Sequence, residues 1–156
     1  MSMSSVQPIP EGVSVVAPHL VVKGADRALA FYTEVFGATE LMRMPGPDGR
    51  LMHAAFEIGG AQVFLADDFP EYGSKSAPDP ARGTASVALH VYVEDVDATF
   101  AKALDLGARM LMPVEDQFWG DRYGKLIDPF GHVWEVATHV REVTPEQMQE
   151  ALAAMA

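Results

Sequence analysis

The sequence predicts an α+β fold of two βαβββ modules followed by a C-terminal helix. The first observation behind this is an internal repeat. Ala17-Pro18-His19-Leu20-Val21-Val22-Lys23-Gly24-Ala25-Asp26 corresponds to Ala88-Leu89-His90-Val91-Tyr92-Val93-Glu94-Asp95-Val96-Asp97 at a constant offset of 71, since 90 − 19 and 97 − 26 agree. The second is that each copy runs from a Val-rich strand into a helical apolar face closed by glycine, then into short strands broken by Gly and Pro turns. The third is the stretch 67–83, with three Pro, two Gly, two Ser and no apolar periodicity, which reads as a linker loop between the halves.

Residues 1–12 are polar and broken by proline, so they read as a flexible arm. The first module spans 13–66. Val13 to Val22 is its opening strand, with Pro18 tolerable at an edge or a strand start. Ala25 to Phe36 is a helix with Ala28, Phe31, Tyr32, Val35 and Phe36 on one face and Gly37 at its end. Leu41 to Met44, Leu51 to Ile58 and Ala61 to Ala66 follow as strands, separated by Gly-Pro-Asp-Gly at 46–49 and by Gly59-Gly60.

The second module spans 84–140. Ala85 to Val93 is a strand, Asp95 an N-cap, and Phe100, Ala101 and Leu104 the inward face of a helix stopped at Gly107. Helix-ending Gly37 and Gly107 differ by 70 while Gly60 and Gly131 differ by 71, so one residue is deleted between the helices and restored before the last hairpin. Met110 to Pro113 begins the next strand. Residues 118–139 form the last hairpin around the turn Asp128-Pro129-Phe130-Gly131, where Pro presets φ and Gly suits the fourth position. Thr144-Pro145-Glu146-Gln147 is a capping box that opens the C-terminal helix 144–156, whose Met148, Ala151, Leu152 and Met155 form a stripe in need of a surface.

Composition narrows the chemistry. A chain of 156 residues that is 49% hydrophobic can bury a core. Without cysteine, any metal must be held by His, Asp or Glu. A formal charge of −11, with 11 scattered Lys and Arg residues, opposes nucleic-acid binding. The start Met1-Ser2-Met3-Ser4-Ser5 lacks a basic region before an apolar core, and no apolar run nears the roughly 20 residues a membrane span needs. The expectation is a cytoplasmic protein with no nucleic-acid or membrane partner.

Three residues stand out chemically. Glu135 interrupts Val133-Trp134-Glu135-Val136-Ala137, a run otherwise apolar enough for burial, and so needs a cation, a donor or a proton. His19 and His90 occupy repeat-equivalent places on equivalent strands. Alternation sets Ala17, His19 and Val21 on one face and Ala88, His90 and Tyr92 on the corresponding one, with Leu20, Val22, Leu89, Val91 and Val93 turned to the helices.

Trp119-Gly120-Asp121-Arg122-Tyr123-Gly124, followed by Asp128-Pro129-Phe130-Gly131-His132 and Trp134-Glu135, resembles the vicinal oxygen chelate superfamily of glyoxalases, bleomycin-resistance proteins and extradiol dioxygenases. The closest likeness is to its PhnB-like, glyoxalase-like group, over residues 13–140. The resemblance implies an eight-stranded cup, a homodimer, and metal ligands at His19, His90 and Glu135. Phe64 stands at the fourth ligand position, where glyoxalase I has a carboxylate, which argues against hemithioacetal isomerisation.

Two imidazoles and one carboxylate leave a divalent ion open positions for substrate oxygens. One reading is therefore an enzyme, a lyase, isomerase or dioxygenase with one Fe, Mn, Ni or Zn per chain that chelates vicinal substrate oxygens. Its alternative is a metal-free protein that binds or sequesters a small aromatic or cationic molecule, as bleomycin-resistance members do, with Glu135 accepting a hydrogen bond from His90 or Arg122. Phe64, Tyr92, Trp119 and Arg122 are the candidate substrate contacts, with Tyr123 beside them, and His53 is a candidate base. Asp121 and Arg122 are also readable as a surface ion pair. His139 is read as a surface residue, because four residues of strand, roughly 13 Å, separate it from Glu135.

Overall fold

A computed structural model describes residues 5–73, 77–83 and 85–155. The chain forms two compact units, Met1–Ala77 and Pro78–Ala156, each built on one four-stranded sheet. In the first, β1 (His19–Val22), α1 (Ala25–Phe36), β2 (Thr39–Pro45), β3 (Leu51–Ile58) and β4 (Ala61–Asp67) give the sheet order β1-β4-β3-β2. In the second, β5 (Ala88–Tyr92), α2 (Val96–Asp105), β6 (Arg109–Asp116), β7 (Asp121–Ile127) and β8 (Val133–His139) give β5-β8-β7-β6, and α3 (Pro145–Ala154) follows. The first and last strands of each unit pair in parallel and the rest antiparallel. This is the glyoxalase and bleomycin-resistance type of α+β fold, with a C-terminal helix. No helix among the described residues is long and apolar enough to cross a membrane.

α1 and α2 each cover one face of their own sheet. Tyr32 of α1 is fully buried and stacks on Phe56 of β3 at 5.2 Å between ring centroids. In α2 the buried positions are Val96, Phe100 and Ala103, spaced by four and three residues. The expected Ala101 and Leu104 are exposed instead. A Cβ on Gly124 of β7 would come within 2.9 Å of Phe100 and 2.8 Å of Val114, so glycine is what lets α2 settle on the sheet.

Both helix starts are capped from across the fold, by repeat-equivalent residues. Asp67 of β4 accepts hydrogen bonds from Gly24 N at 2.8 Å and Ala25 N at 2.9 Å, and also from Leu51 N at 2.7 Å. Its counterpart 71 residues on, Thr138, accepts from Val96 N at 2.9 Å and donates to Val93 O at 2.8 Å. Asp95 caps α2 locally as well, whereas its counterpart Gly24 has no side chain to offer. The carboxylate at 67 supplies what the glycine lacks.

Strand ends differ from expectation, with β5 starting at Ala88 and β2 at Thr39, and three differences have a plain physical cause. β1 begins only at His19, because Pro18 has no N–H for the ladder, and Val15 and Val16 are exposed. Asp67 and Asp68, expected in a surface linker, are buried, and Asp67 ends β4. The deleted residue is restored inside the last turn rather than before the hairpin. Gly59 and Gly60, at φ 55° and 86°, make a two-residue turn between Ile58 and Ala61, whereas Pro129, Phe130 and Gly131 make a three-residue loop closed by Asp128 N donating to His132 O at 2.8 Å.

Candidate functional site

Residues directly paired across a sheet share a face. In the second unit His90 pairs with Glu135 and Tyr92 with Ala137, while Glu135, Ala137 and His139 pair on their other side with Lys125, Tyr123 and Asp121. The face turned away from α2 therefore gathers His90, Tyr92, Asp121, Tyr123, Lys125, Glu135 and His139. The α2-facing side carries Val91, Leu126, Trp134 and Val136.

Glu135 is half-buried at the centre of this face. The Tyr123 hydroxyl donates to its Oε2, His90 Nδ1 lies 3.4 Å from Oε1, and Lys125 Nζ is 3.7 Å from Oε2. The bond from Tyr123 holds the carboxyl below the usual carboxylate range against the opposing effect of burial, with His90 and Lys125 adding to it. Glu135 is thus an anion at neutral pH. Tyr123 is affected in the opposite sense: burial, then the bond to Glu135, pushes its phenol well above the ordinary tyrosine range.

Two rings, His90 and Tyr123, meet this carboxylate, and Tyr92 and Trp119 pack against them. His90 lies 4.9 Å from Tyr92 and 6.1 Å from Tyr123, and Trp119 meets Tyr123 edge-on at 5.6 Å. A second carboxylate, Asp121, is only 3% exposed and accepts from Tyr92 OH at 2.8 Å and Trp119 Nε1 at 3.1 Å, with His139 Nδ1 at 2.9 Å. Burial pushes its carboxyl up, but these three partners together hold it below the usual range. His139 is half-exposed, and its pKa is raised by Asp121 first and Glu142 second.

A raised folded-state pKa means that His139 contributes stability fully below its unfolded value of about 6.5 and loses it as pH rises through the folded value. The expected result is that wild type exceeds His139→Gln in thermal midpoint at pH 6 and that the gap closes towards pH 9. Thermal melts of both proteins across that range measure it.

The first unit shows the same register. His19 pairs with Phe64 as His90 pairs with Glu135, so the offset of 71 holds at the pairing level. The His53 ring lies 6.1 Å from His19 and 5.3 Å from Phe64. His19 also lines a cavity of about 430 Å³ with Val21, Met52, Ala66, Asp67, Phe69 and Gly73.

The structure thus brings His90, Glu135, Tyr92 and Trp119 together on one unit, and His19, His53 and Phe64 on the other. Arg122 lies apart. It faces α2, where its guanidinium is held by Asp97 at 2.8 Å and by Asp116 at 3.2 Å, so its partners are neither Glu135 nor Asp121. Lys125, and Asp121 and His139 as a pair, escaped the sequence reading. The register of the last hairpin was the signal for all three. Among the described residues, no group of three or more His, Asp or Glu side chains is arranged to hold a metal ion.

Known proteins share this architecture. A Mycobacterium bovis protein is 49% identical over 137 residues, 87% of this chain and 90% of its own. The crystal structure of TioX from Micromonospora is 29% identical, with a TM-score of 0.59 over 81% of this chain and 99% of that one. A PhnB protein from Bacillus cereus is 20% identical with a TM-score of 0.64, covering 80% of this chain and 99% of that one. The fosfomycin resistance protein FosX from Listeria monocytogenes, solved with Mn(II) and sulfate, is 17% identical with a TM-score of 0.60, covering 87% of this chain and 97% of that one. The profile of one family matches residues 13–136, which together with the fold and the relatives' identity gives the assignment: the chain belongs to the Glyoxalase/Bleomycin resistance protein/Dioxygenase superfamily.

Proposed function

We propose that this chain is a small-molecule-binding protein that takes a planar aromatic cation on the α2-distal face of its second sheet, without a resident metal. The observation that carries this reading is Glu135, a half-buried anion met by His90 and Tyr123, with Tyr92 and Trp119 packed against those two rings. Ring faces attract cations, and Tyr92, His90 and the half-buried Trp119 leave ring area open to a flat ligand above the buried Tyr123. Lys125, at 3.7 Å, is beyond hydrogen-bond reach of Glu135, so a ligand ammonium can take its place beside the carboxylate. The net charge of −11 adds long-range attraction for cations.

The donor set around Glu135 does not suit a metal centre. Beside Glu135 the hydrogen bonds place one further metal-type donor, His90 at 3.4 Å, and among the described residues no group of three or more His, Asp or Glu side chains is arranged to hold an ion. Phe64 on the repeat-equivalent strand adds no ligand. Binding without turnover therefore replaces the metal-dependent lyase, isomerase or dioxygenase as the reading the side chains favour. A homodimer belongs to the same proposal, supported by Leu152 exposed on α3 and Met155 exposed at its C-terminal cap, and sedimentation equilibrium reads it directly.

Calorimetry separates the two chemistries. Proflavine, a planar aromatic cation, is expected to bind equally well in EDTA and in Mn²⁺, and catechol, which offers vicinal oxygens, to bind in neither. Catechol binding that requires Mn²⁺, together with uptake of one ion per chain that His90→Ala abolishes, would overturn the proposal.

A further inference from the structure

Resting on that reading, we infer that Asp121 is the positioning residue of the ligand site, its buried carboxylate holding the two ring walls Tyr92 and Trp119, with His139 as its counter-charge. Tyr92 comes from β5 and Trp119 from the turn before β7, so no strand pairing fixes one ring against the other. Asp121 does so with one oxygen: Oδ2 accepts from both the Tyr92 hydroxyl and the Trp119 indole. Oδ1 faces His139.

The backbone around Trp119 supports the same conclusion. Val140 N at 2.9 Å and Arg141 N at 3.1 Å both donate to Gly120 O, and Gln117 N donates to Asp121 O at 2.7 Å. Gly120, at φ 104°, has no room for a Cβ, which would strike the Arg141 carbonyl and come within 3.4 Å of the His139 ring. The Trp119 turn is thus clamped to the segment that follows β8, and His139 sits at the joint. The charged and titratable groups facing His139 are Asp121 from β7 and Glu142 from the chain beyond β8, with Tyr92 of β5 joined through Asp121.

Ligand affinity then depends on a residue that need not touch the ligand, because unfixed walls lose order that binding must restore. Asp121→Asn keeps the size of the side chain and removes its charge. Proflavine affinity is expected to fall about tenfold, from the weakened charge-assisted bonds.

A ligand-independent readout is available from the indole N–H resonances. The chain has two tryptophans, Trp119 bonded to Asp121 and Trp134 to Asp128. In Asp121→Asn the Trp119 signal is expected to move and the Trp134 signal to stay. In the wild type the Trp119 signal is expected to titrate above the ordinary histidine value of about 6.5, a titration that His139→Gln removes. Wild-type proflavine binding left unchanged by Asp121→Asn, or a Trp119 signal indifferent to both substitution and pH, would overturn the inference. Should Asp121→Asn fail to fold, equal affinity in wild type, Tyr92→Phe and His139→Gln overturns it as well. No proflavine binding by the wild type refutes the binding reading itself, and this inference with it.

Discussion

Replacing Glu135 with alanine is expected to lower proflavine affinity at least thirtyfold, corresponding to about 2 kcal/mol, the scale for truncating one partner of a half-desolvated charge pair. Glu135→Gln should lose nearly as much, since it keeps the shape and forfeits the charge. Calorimetry with both variants measures this. The pH dependence has a definite sign. Because the carboxyl is held below its usual range, Glu135 stays ionised throughout the neutral and mildly acidic range. Its contribution to affinity is therefore present across that range and is lost only as pH falls through the lowered value of the folded protein. Affinity that Glu135→Ala leaves intact would remove the carboxylate from the site.

Asp67→Ala is expected to cost stability rather than binding. Asp67 is 8% exposed and its carboxylate serves three backbone N–H groups, two at the start of α1 and one at the start of β3. Left without their acceptor, these donors cost about 3–5 kcal/mol together. Asp67→Asn should not restore much, because an amide N–H turned towards Leu51 N replaces an acceptor with a donor. Thr138→Val, which removes one acceptor and one donor at the equivalent place, sets the comparison at about 1–2 kcal/mol. Urea unfolding of the three variants orders them, and an Asp67→Ala protein no less stable than Thr138→Val contradicts the account of the helix caps.

Most of the fold was legible because the repeat is written in the residues that pack. His19 and His90, Gly37 and Gly107, and Gly60 and Gly131 are positional markers that β pairing and helix ends require. The register His19↔Phe64 and His90↔Glu135 realises the same offset in space. The strand before Pro18 was misread because a run of valines suits a strand, yet a missing N–H stops the ladder there. Ala101 and Leu104 were misplaced because a helix this short admits two apolar stripes that share Phe100, and only packing on the sheet selects the one with Val96 and Ala103.

The polar face was harder to read, and the reason is a single residue. Closing the last turn between Asp128 and Gly131 makes paired positions sum to 259, which sets Glu135 opposite Gly124. The loop has three residues, paired positions sum to 260, and Glu135 meets Lys125 while His139 meets Asp121. A one-residue slip in register moves every side chain to the other face. With the turn length known, Lys125, Asp121 and His139 join Glu135 on one face and Arg122 goes to the side of α2.

Metal-independent binding on that face is tested most directly by mapping amide and indole shifts when proflavine is added to protein dialysed against EDTA. The expected perturbations fall on β5, β7 and β8 at His90, Tyr92, Tyr123 and Glu135, and on the Trp119 indole, and adding Mn²⁺ leaves them unchanged. Perturbations confined to other elements, or shifts that begin only once Mn²⁺ is present, would contradict it.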